Sequence, residues 1–312
     1  MASAMKRLTE DLKLANLLPP LFICFVIGTI WSVYLFLHLL PMMQIGIPAD
    51  LQDLELAKRG LTQFLIAQVL FSIFSTCYTR AILTCPGTIP ETDEWRYTRQ
   101  ESAGWPVTQE VKETGERRRC KWCLKYKPDR CHHCRVCKTC VLRMDHHCPW
   151  IMNCVGWGNH KYFFLTVLYA GLSCGFIALT ITESVHGSMY KDMPHFNRFL
   201  LVFCLVLAGF FAILMTGFMS FHINLMLTAT TTIEFCEKRT AGAGVTAVYD
   251  RGYYQNILSV LGPRPQYWFL PIDPARGDGV HFGKFAWKNG TEADAEWAAA
   301  AEARLMSMRH QG

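Results

Sequence analysis

The amino-acid sequence predicts an all-α membrane protein with four transmembrane helices and a polar, cysteine-rich domain between the second and the third. Three observations support this fold class: four long uncharged apolar runs, one polar and basic segment between the second and third runs, and a dense cluster of cysteines inside that segment. Hydrophobic residues make up 51% of the 312 residues and charged residues 18%, which is apolar for a soluble protein and polar for a pure membrane bundle. We therefore expect a mixture of the two.

The four apolar runs span residues 21–40, 61–79, 162–182 and 199–229. Each meets or nearly meets the ~20 residues that an α-helix needs to cross the core of a bilayer. Core helices of a soluble protein are the alternative, but aromatic residues near several ends of the runs favour membrane helices. The first run is too long for the apolar part of a signal peptide and lacks a small-residue cleavage site, so we expect it to be retained.

The distribution of lysine and arginine predicts the orientation in the membrane. Residues 86–161 hold fourteen of the 31 basic residues, whereas the connections 43–60 and 183–198 hold two each. Because cytosolic loops carry the excess of Lys and Arg, we expect residues 86–161 and both termini in the cytosol. The chain then divides into residues 1–85 with the first two helices, the cytosolic domain 86–161, residues 162–229 with the last two helices, and a cytosolic C-terminal region 230–312.

Eight of the fourteen cysteines lie between Cys120 and Cys154, so they belong to one local arrangement. Pairs with the spacing Cys-x2-Cys place two thiolates on one tight turn, which suits tetrahedral zinc. The cytosol keeps thiols reduced, which argues against disulfides. A segment so poor in apolar residues cannot fold on a hydrophobic core alone, and zinc supplies folding free energy on the order of 10 kcal/mol per site. We therefore predict two structural zinc ions in this domain.

Two Cys3His zinc sites require six cysteines and two histidines. The predicted ligands are Cys120, Cys123, His133, Cys140, Cys134, Cys137, His147 and Cys154. Interleaved and sequential pairings both satisfy this count, so the spacing leaves the pairing open. Cys131 and Cys148 remain unassigned. Because Cys148 closely follows Asp145 and His146, it is typical of a nucleophile; the alternative is a structural use, with His146 or Cys148 as a zinc ligand.

These residues and their neighbours form one continuous pattern, Cys120-x2-Cys123-x9-His133-Cys134-x2-Cys137-x2-Cys140-x4-Asp145-His146-His147-Cys148-x5-Cys154-x4-Asn159-x3-Phe163. Lys127-Pro128-Asp129-Arg130 and Pro149-Trp150 accompany it, Thr231-Thr232-Ile233-Glu234 follows the fourth apolar run, and Asn256 lies in an aromatic stretch further on. In these features the chain resembles the DHHC palmitoyltransferase family, including its TTxE and aromatic/Asn motifs. One departure is Cys85-Pro86-Gly87, where the family usually has Asp-Pro-Gly. The Pro-Gly turn can persist, but any contact of the aspartate is lost.

The resemblance implies a protein S-acyltransferase that moves a fatty acyl group from acyl-CoA, such as palmitoyl-CoA, to cysteines of substrate proteins near the membrane. The implied reaction is ping-pong, with an acyl-enzyme on Cys148. His146 would take the thiol proton, and Asp145 would fix the tautomer of His146 and stabilise its imidazolium. His147 would ligate zinc and hold the loop that presents Cys148. Both zinc ions would be structural; the rival, a zinc-activated thiolate at Cys148, is disfavoured by the ligand count.

The resemblance also suggests where acyl-CoA binds. Trp150 is expected near the mouth of a cavity between the membrane helices, because an acyl chain gains ~0.8 kcal/mol per buried methylene in apolar surroundings. On the third run, Gly171, Ser173 and Gly175 alternate along the sequence. We hypothesise that Ser173 leaves room for chains of about sixteen carbons or longer. Close helix packing is the alternative explanation for these small residues.

Polar residues around the cluster have further predicted roles. Thr231, Thr232, Glu234 and Asn256 are expected to tie the C-terminal region to the zinc domain. The basic residues of the domain are expected to meet CoA phosphates or anionic lipid; they are Arg117, Arg118, Arg119, Lys121, Arg130, Arg135, Lys138 and Arg143. Nucleic acid is a poor partner for a patch beside four membrane helices. Residues 291–309 have apolar residues at helical spacing and predict a short helix.

Two other classes of function compete with the enzyme. A non-catalytic zinc scaffold in the membrane would keep the metal ligands without needing Cys148, His146 and Asp145. A transporter or channel would place charged residues deep in a span, whereas Arg80 and Glu183 lie at span ends. The sequence therefore favours an enzyme.

Overall fold

The computed structural model describes residues 14–97, 108, 110–112, 114, 116–241, 249–272 and 277–282. Four helices in this part of the chain are long and apolar enough to cross a membrane, as predicted. Helix α1 runs over Leu14–Tyr34 and continues through a π-helical turn, Leu35–Leu39, into Leu40–Met43; α2, α3 and α4 span Leu54–Leu83, His160–Ser188 and His195–Leu227. Each helix is longer than the apolar run that predicted it.

Polar residues and backbone geometry set the helix ends. At the start of α2, the Asp53 carboxylate accepts hydrogen bonds from the backbone N–H groups of Glu55 and Leu56, both at 3.1 Å. This cap satisfies donors that have no partner within the helix. After the C-terminal end of α4, Ala229 has a φ of 49°. This left-handed residue cannot continue an α-helix, so α4 ends before the predicted boundary at residue 229.

Helix α3 lies between α2 and α4, and α1 packs against α4. At Gly171 of α3, an added β-carbon would lie 3.4 Å from the Met215 Cβ of α4, so this small residue serves close helix packing. The outer surface of the bundle is apolar: Ile213, Leu179 and Phe25 are 78%, 77% and 71% exposed. Lipid is the natural surrounding of such a surface, because exposed apolar area of this extent is rare on soluble proteins.

At the end of the bundle remote from the cysteine-rich domain, His38 joins three helices. It lies in the π-helical turn of α1 and is fully buried. Its Nδ1 and Nε2 are each 2.7 Å from a partner, Ser184 Oγ of α3 and Gln63 Oε1 of α2. One turn earlier, the Tyr34 hydroxyl is 2.7 Å from Thr180 Oγ1 of α3. These contacts satisfy polar groups inside an apolar bundle, where unpaired groups are costly.

The cysteine-rich domain contains three short antiparallel hairpins, so the all-α prediction is wrong for this part of the chain. Their strands are β1 (Arg119–Cys120) with β2 (Lys125–Tyr126), β3 (His132–Cys134) with β4 (Thr139–Val141), and β5 (His146–Cys148) with β6 (Asn153–Val155). Leu124, Lys138 and Met152 have φ values of 51°, 53° and 50° at the hairpin turns. Closely spaced ligands require such tight turns, and a regular helix does not provide them.

The Cys85-Pro86-Gly87 corner joins α2 to this domain by backbone contacts. The Pro86 carbonyl accepts a hydrogen bond from Gly158 N at 3.0 Å, and the Gly87 carbonyl accepts one from Leu142 N at 3.1 Å. Gly87 has a φ of 98°, a conformation that favours glycine. The Cys85 side chain is exposed. The predicted turn therefore persists without an aspartate.

Two short helices, α5 (Thr232–Ala241) and α6 (Tyr253–Leu261), follow the bundle. Lys161, in the first turn of α3, holds the segment after them. Its ammonium group is buried and donates to the carbonyls of Tyr267 at 2.9 Å and Ile272 at 2.5 Å. The C-terminal region is thereby attached to the helix bundle. The helix predicted for residues 291–309 lies outside the described residues.

Candidate catalytic and metal sites

Eight cysteine and histidine side chains form two compact groups, each with three thiols and one imidazole. The first group is Cys120, Cys123, His133 and Cys140, the second is Cys134, Cys137, His147 and Cys154, and the ligand atoms in each lie within 4.8 Å of one another. Nδ1 of His133 is 3.5, 3.3 and 3.8 Å from the sulfurs of its group, and Nδ1 of His147 is 3.7, 3.4 and 3.6 Å from those of its own. Metal–ligand bonds of about 2.0–2.3 Å give tetrahedral edges of about 3.5 Å, so both groups fit one tetrahedral ion each.

The two groups are interleaved along the chain, which resolves the pairing that the spacing left open. Each ligand of the first group has its counterpart fourteen residues later: Cys120 with Cys134, Cys123 with Cys137, His133 with His147, and Cys140 with Cys154. The hairpins β3–β4 and β5–β6 each supply one imidazole and one thiol from directly opposite positions. All eight predicted ligands are therefore brought together in two equivalent arrangements.

Cys148 lies outside both groups and against the membrane helices. Its side chain is only 6% exposed and packs in one cluster with Ala81 of α2, Phe163 of α3 and Met219 of α4. The short helical turn that follows, Pro149–Ile151, contacts α1. The Cys148 thiol therefore lies where the hairpin domain meets the end of the four-helix bundle.

His146 lies beside this thiol. Its Nδ1 is 2.7 Å from Asp145 Oδ2, and the Cys148 thiol is near enough to influence the pKa of the ring. Burial by itself would lower the pKa of His146, but the hydrogen bond to Asp145 and the nearby Cys148 raise it to about 9. A ring with this pKa is a good acceptor for a thiol proton, and removal of that proton gives the reactive thiolate.

Asp145 is fully buried and is held on both carboxylate oxygens. Oδ1 accepts from the backbone N–H of Thr232 at 2.9 Å, and Oδ2 accepts from the Thr232 hydroxyl at 2.7 Å as well as from His146. Although burial opposes it, these hydrogen bonds and the neighbouring histidines lower the pKa of Asp145 below its usual range. The carboxylate is therefore ionised and fixed in orientation at the start of α5.

An ion pair behind the site joins α5 to the metal domain. The Arg130 guanidinium, 3% exposed in its side chain, donates to both carboxylate oxygens of Glu234 at 2.6 and 2.8 Å and to the Ala229 carbonyl at 2.8 Å. The ring of Tyr249 lies against it at 4.5 Å. Removing one partner of such a bidentate, desolvated pair strongly destabilises the fold, because the other charge is then buried without a partner.

The four C-terminal residues predicted to tie this region to the metal domain divide into two pairs. Thr232 and Glu234 make the expected contacts, with Asp145 and Arg130. Thr231 instead caps α5, since its hydroxyl accepts from Glu234 N at 3.3 Å. The Asn256 amide binds the Leu227 carbonyl and Asp250 Oδ1, both at 2.7 Å, and so fastens α6 to the end of α4.

Sequence reasoning missed the residue that attaches the β5–β6 hairpin to α2. The side-chain amide of Asn153 donates to the carbonyls of Ala81, Ile82 and Thr84 at 3.3, 3.1 and 3.0 Å. These carbonyls belong to the last turn of α2, where the helix provides no partners. Asparagine often hydrogen-bonds backbone groups, and Asn153 stands directly before the predicted ligand Cys154, so the residue could have been noticed. Its partners could not, because they lie about seventy residues away in sequence.

The two residues predicted to contact the acyl-CoA lie at different depths in the bundle. Trp150 is half-exposed, its ring is 6.4 Å from that of Phe22 on α1, and its carbonyl accepts from the Tyr78 hydroxyl at 2.8 Å. Ser173 lies ten residues beyond Phe163 on α3, which is about 15 Å along the helix. It lines a cavity of about 20 Å³ together with Trp31, Ala67, Leu70, Phe71, Phe176 and Ile177.

Other polar residues of the domain are used internally. Arg130 and Arg143 are each 3% exposed, and Arg143 donates to the Ser259 carbonyl at 3.0 Å, so neither presents its charge to an external phosphate. The prediction of a phosphate or lipid contact fails for these two because the tail covers them. Cys131, to which the sequence analysis assigned no role, is fully buried and packs in one apolar cluster with Cys120 and Cys140 of the first metal group.

A buried thiol beside an imidazole–carboxylate pair, next to two Cys3His groups and four helices long and apolar enough to cross a membrane, is the arrangement expected of a membrane-bound enzyme that uses a thiol. Comparison with known proteins agrees. Residues 113–239 match the family model described as DHHC palmitoyltransferase. The chain is 32% identical over 251 residues to palmitoyltransferase ZDHHC15A of Danio rerio, which covers 73% of this chain and 76% of the relative.

Two further relatives come from distant organisms. The chain is 36% identical over 231 residues to the probable protein S-acyltransferase 14 of Arabidopsis thaliana, covering 68% of this chain and 70% of the relative. It is 29% identical over 277 residues to palmitoyltransferase ZDHHC15 of Homo sapiens, covering 82% and 79%. The chain belongs to the DHHC palmitoyltransferase family and is a palmitoyltransferase enzyme.

Proposed function

We propose that the protein transfers a long-chain fatty acyl group from acyl-CoA to cysteine thiols of membrane-associated substrate proteins through an acyl-enzyme on Cys148. The observation that carries this proposal is the position of Cys148. Both metal groups are complete without its sulfur, and it is buried between the helix bundle and the His146–Asp145 pair. A thiol with a base at hand and apolar surroundings for the acyl chain is suited to this chemistry.

The proposed reaction has two thioester exchanges. In the first, His146 takes the Cys148 proton, the sulfur bonds to the thioester carbon, and the bond to the CoA sulfur breaks; the CoA thiolate then receives the proton from His146. In the second, a substrate thiol gives its proton to His146 and displaces the Cys148 thiolate, which is reprotonated. Asp145 stays ionised and stabilises the imidazolium in both steps.

We assign zinc to both metal groups and a structural role to both ions. Three thiols and one imidazole complete a tetrahedral shell, so a bound ion has no open position for water or substrate. His147 and Cys154, on the same hairpin as Cys148, would fix the strand that presents the thiol.

The excess of basic residues in 86–161 supports a cytosolic domain and cytosolic termini. An impermeant thiol reagent outside intact cells should therefore leave Cys85 unlabelled. Rapid labelling of Cys85 would show that the orientation is opposite to the one proposed.

We infer that the acyl chain lies between the helices, from Trp150 at the domain end towards Ser173. The apolar cluster around Cys148 includes residues of α3 and α4, and the cavity at Ser173 lies further along α3. The Ser173 hydroxyl is buried with no hydrogen-bond partner among the described residues. A small residue at this depth of the bundle would leave length for a long chain.

The test is incubation of the purified protein with labelled palmitoyl-CoA, comparing wild type with Cys148→Ser. We expect a hydroxylamine-sensitive label on wild type and none on the variant, because only a thioester is cleaved readily by hydroxylamine. Cys85→Ser is the matched control, since this thiol is exposed at the same end of the bundle. Equal labelling of wild type and Cys148→Ser would reject the proposal and favour a non-catalytic scaffold that uses the metal domain for binding.

A further inference from the structure

His222 is a buried polar residue that the proposed mechanism does not use. It lies on α4, five residues before the helix ends at Leu227, and it is only 3% exposed. Neither ring nitrogen has a hydrogen-bond partner among the described residues. Burying an unpaired polar group costs about 1–3 kcal/mol. An ionisable residue in a membrane helix therefore marks a candidate functional site.

Aromatic rings enclose His222 next to the proposed general base. Its ring is edge-to-face with those of Phe163, Phe218 and Phe221, at centroid distances of 5.2, 4.5 and 5.4 Å. Phe163 is also edge-to-face with His146 at 5.1 Å, and the centroids of His146 and His222 are 6.1 Å apart. A phenylalanine would satisfy this packing without the cost of burying two nitrogens, so packing alone does not account for a histidine here.

The same face of α4 borders the Cys148 thiol. Met219, one turn before His222, packs in the cluster that contains Cys148 and Phe163. His146 lies beside the thiol on the side of the hairpin domain, whereas Met219 packs in its cluster from the bundle, and the ring centroid of His222 is 6.1 Å from that of His146. An acyl group on Cys148 with its chain between the helices therefore has its carbonyl group beside this face of α4.

We propose that His222 donates a hydrogen bond to the carbonyl oxygen of the acyl group during its transfer to and from Cys148. This inference rests on the proposed function. When the Cys148 sulfur bonds to the thioester carbon, the π electrons of the carbonyl move to oxygen, and a negative charge develops there. When the carbonyl re-forms, the bond to the departing sulfur breaks and the charge leaves the oxygen. A fixed N–H donor strengthens its interaction as this charge develops, and neutral His222 neither gains nor loses a proton.

Two substitutions separate this role from packing. His222→Phe keeps a planar ring for the aromatic contacts and removes the donor, whereas His222→Gln keeps an N–H near the position of Nε2 and removes the ring. We expect the Phe variant to form the acyl-enzyme about 100-fold more slowly, with a nearly unchanged palmitoyl-CoA concentration at half-saturation, since one lost oxyanion donor has this effect on turnover. The Gln variant should stay within about tenfold of wild type. His186→Phe, at an exposed position, is the control.

The outcomes are decisive in both directions. A Phe variant that matches wild type, or one that is faster than the Gln variant, would overturn the inference and leave the proposed function intact. Wild type without Cys148-dependent label would overturn both. Metal content and monodisperse elution from a sizing column establish that each variant is folded. If the Phe variant does not fold, His222→Gln against His222→Met gives the same comparison, because these side chains have equal length and only one carries an amide.

Discussion

At the scale of single residues, Thr232 connects the C-terminal region to the chemistry of the site. Its hydroxyl and backbone N–H both bind Asp145, and the carboxylate in turn orients His146. Thr232→Val removes only the hydroxyl bond, at 2.7 Å, and keeps the side-chain shape. Since a hydrogen bond to a charged group contributes about 1.5–3 kcal/mol, we expect acyl-enzyme formation to slow by roughly tenfold or more in a quench-flow assay with labelled palmitoyl-CoA.

The matched control for this prediction is Thr216→Val, on the exposed side of α4. Its hydroxyl bonds only to the Ala212 carbonyl of the same helix at 2.7 Å. This variant should acylate at the wild-type rate. An equally fast Thr232→Val enzyme would show that the backbone N–H alone suffices to hold the carboxylate.

Single residues also show the limit of prediction from sequence. The grouping of the eight predicted ligands, and the nearness of Asp145, His146 and Cys148, could be predicted because these residues lie close together in sequence at spacings that metal and thiol chemistry require. Glu234 was expected to contact this domain, but its partner Arg130, 104 residues away in sequence, was not predicted. Nor was His222, because a histidine in an apolar run gives no indication of which side chains will surround it. These roles depend on which residues are close in space, and the periodicity of apolar residues along the sequence does not show this.

At the scale of elements, Asn153 fastens the β5–β6 hairpin to the last turn of α2. Asn153→Ala removes a donor shared by three backbone carbonyls and leaves them without it at the junction. We expect the free energy of unfolding to fall by about 1–3 kcal/mol and the acylation rate to fall with it, because Cys148 directly faces Asn153 in the hairpin. Thermal unfolding in detergent micelles, with Asn224→Ala at an exposed position as control, measures the effect; an unchanged midpoint would contradict it.

Ser173 of α3 is expected to set the length of acyl chain that the protein accepts. Ser173→Phe would fill the cavity of about 20 Å³ and the space around the buried hydroxyl. We expect the variant to lose activity with long-chain acyl-CoA and to keep it with shorter donors, because the chain would meet the new ring. Competition among acyl-CoAs of different length measures the profile. Leu179→Phe, at a 77% exposed position on the same helix, adds the same ring without entering the cavity and should change nothing.

Elements were predictable to the extent that one physical signal dominated each of them. Four uncharged runs predicted four helices because only a helix satisfies its own backbone in lipid. The helix ends and the π-helical turn around His38 depended on side chains of other helices, such as Ser184 and Gln63. The three hairpins were missed because ligand geometry, rather than strand propensity, bends the chain there.

At the scale of the whole molecule, the metal groups add to a small hydrophobic core in the hairpin domain, in which Cys140 packs with Trp95 and Leu142. Cys140→Ser should lose one ion per chain, and with it the thermal stability and acyl-enzyme formation, because metal binding supplies on the order of 10 kcal/mol per site. Cys148→Ser should keep two zinc ions and the wild-type unfolding midpoint. Elemental analysis of both variants checks this. Fewer than two ions in Cys148→Ser would mean that the proposed nucleophile is a ligand.

The fourteen-residue offset between the metal groups continues beyond them. Cys148 stands fourteen residues after Cys134, and Ile151 stands where the same step from Cys137 would require another cysteine. Ile151→Cys should therefore create a new Cys-x2-Cys pair with Cys148. We expect micromolar zinc to inhibit acyl-enzyme formation in this variant and to leave Ile151→Val unaffected. Insensitivity of both variants to zinc would show that the hairpin cannot present the pair to an ion.

Cys148 is therefore the first position of a third Cys-x2-Cys pair that lacks its second cysteine. The pair Cys120–Cys123 corresponds to Cys134–Cys137, and Cys148 corresponds to the first cysteine of a third pair whose second position is Ile151. Its sulfur therefore belongs to neither metal group. Other metal-binding repeats that end on a single cysteine packed against an apolar surface are candidates for the same thiol chemistry.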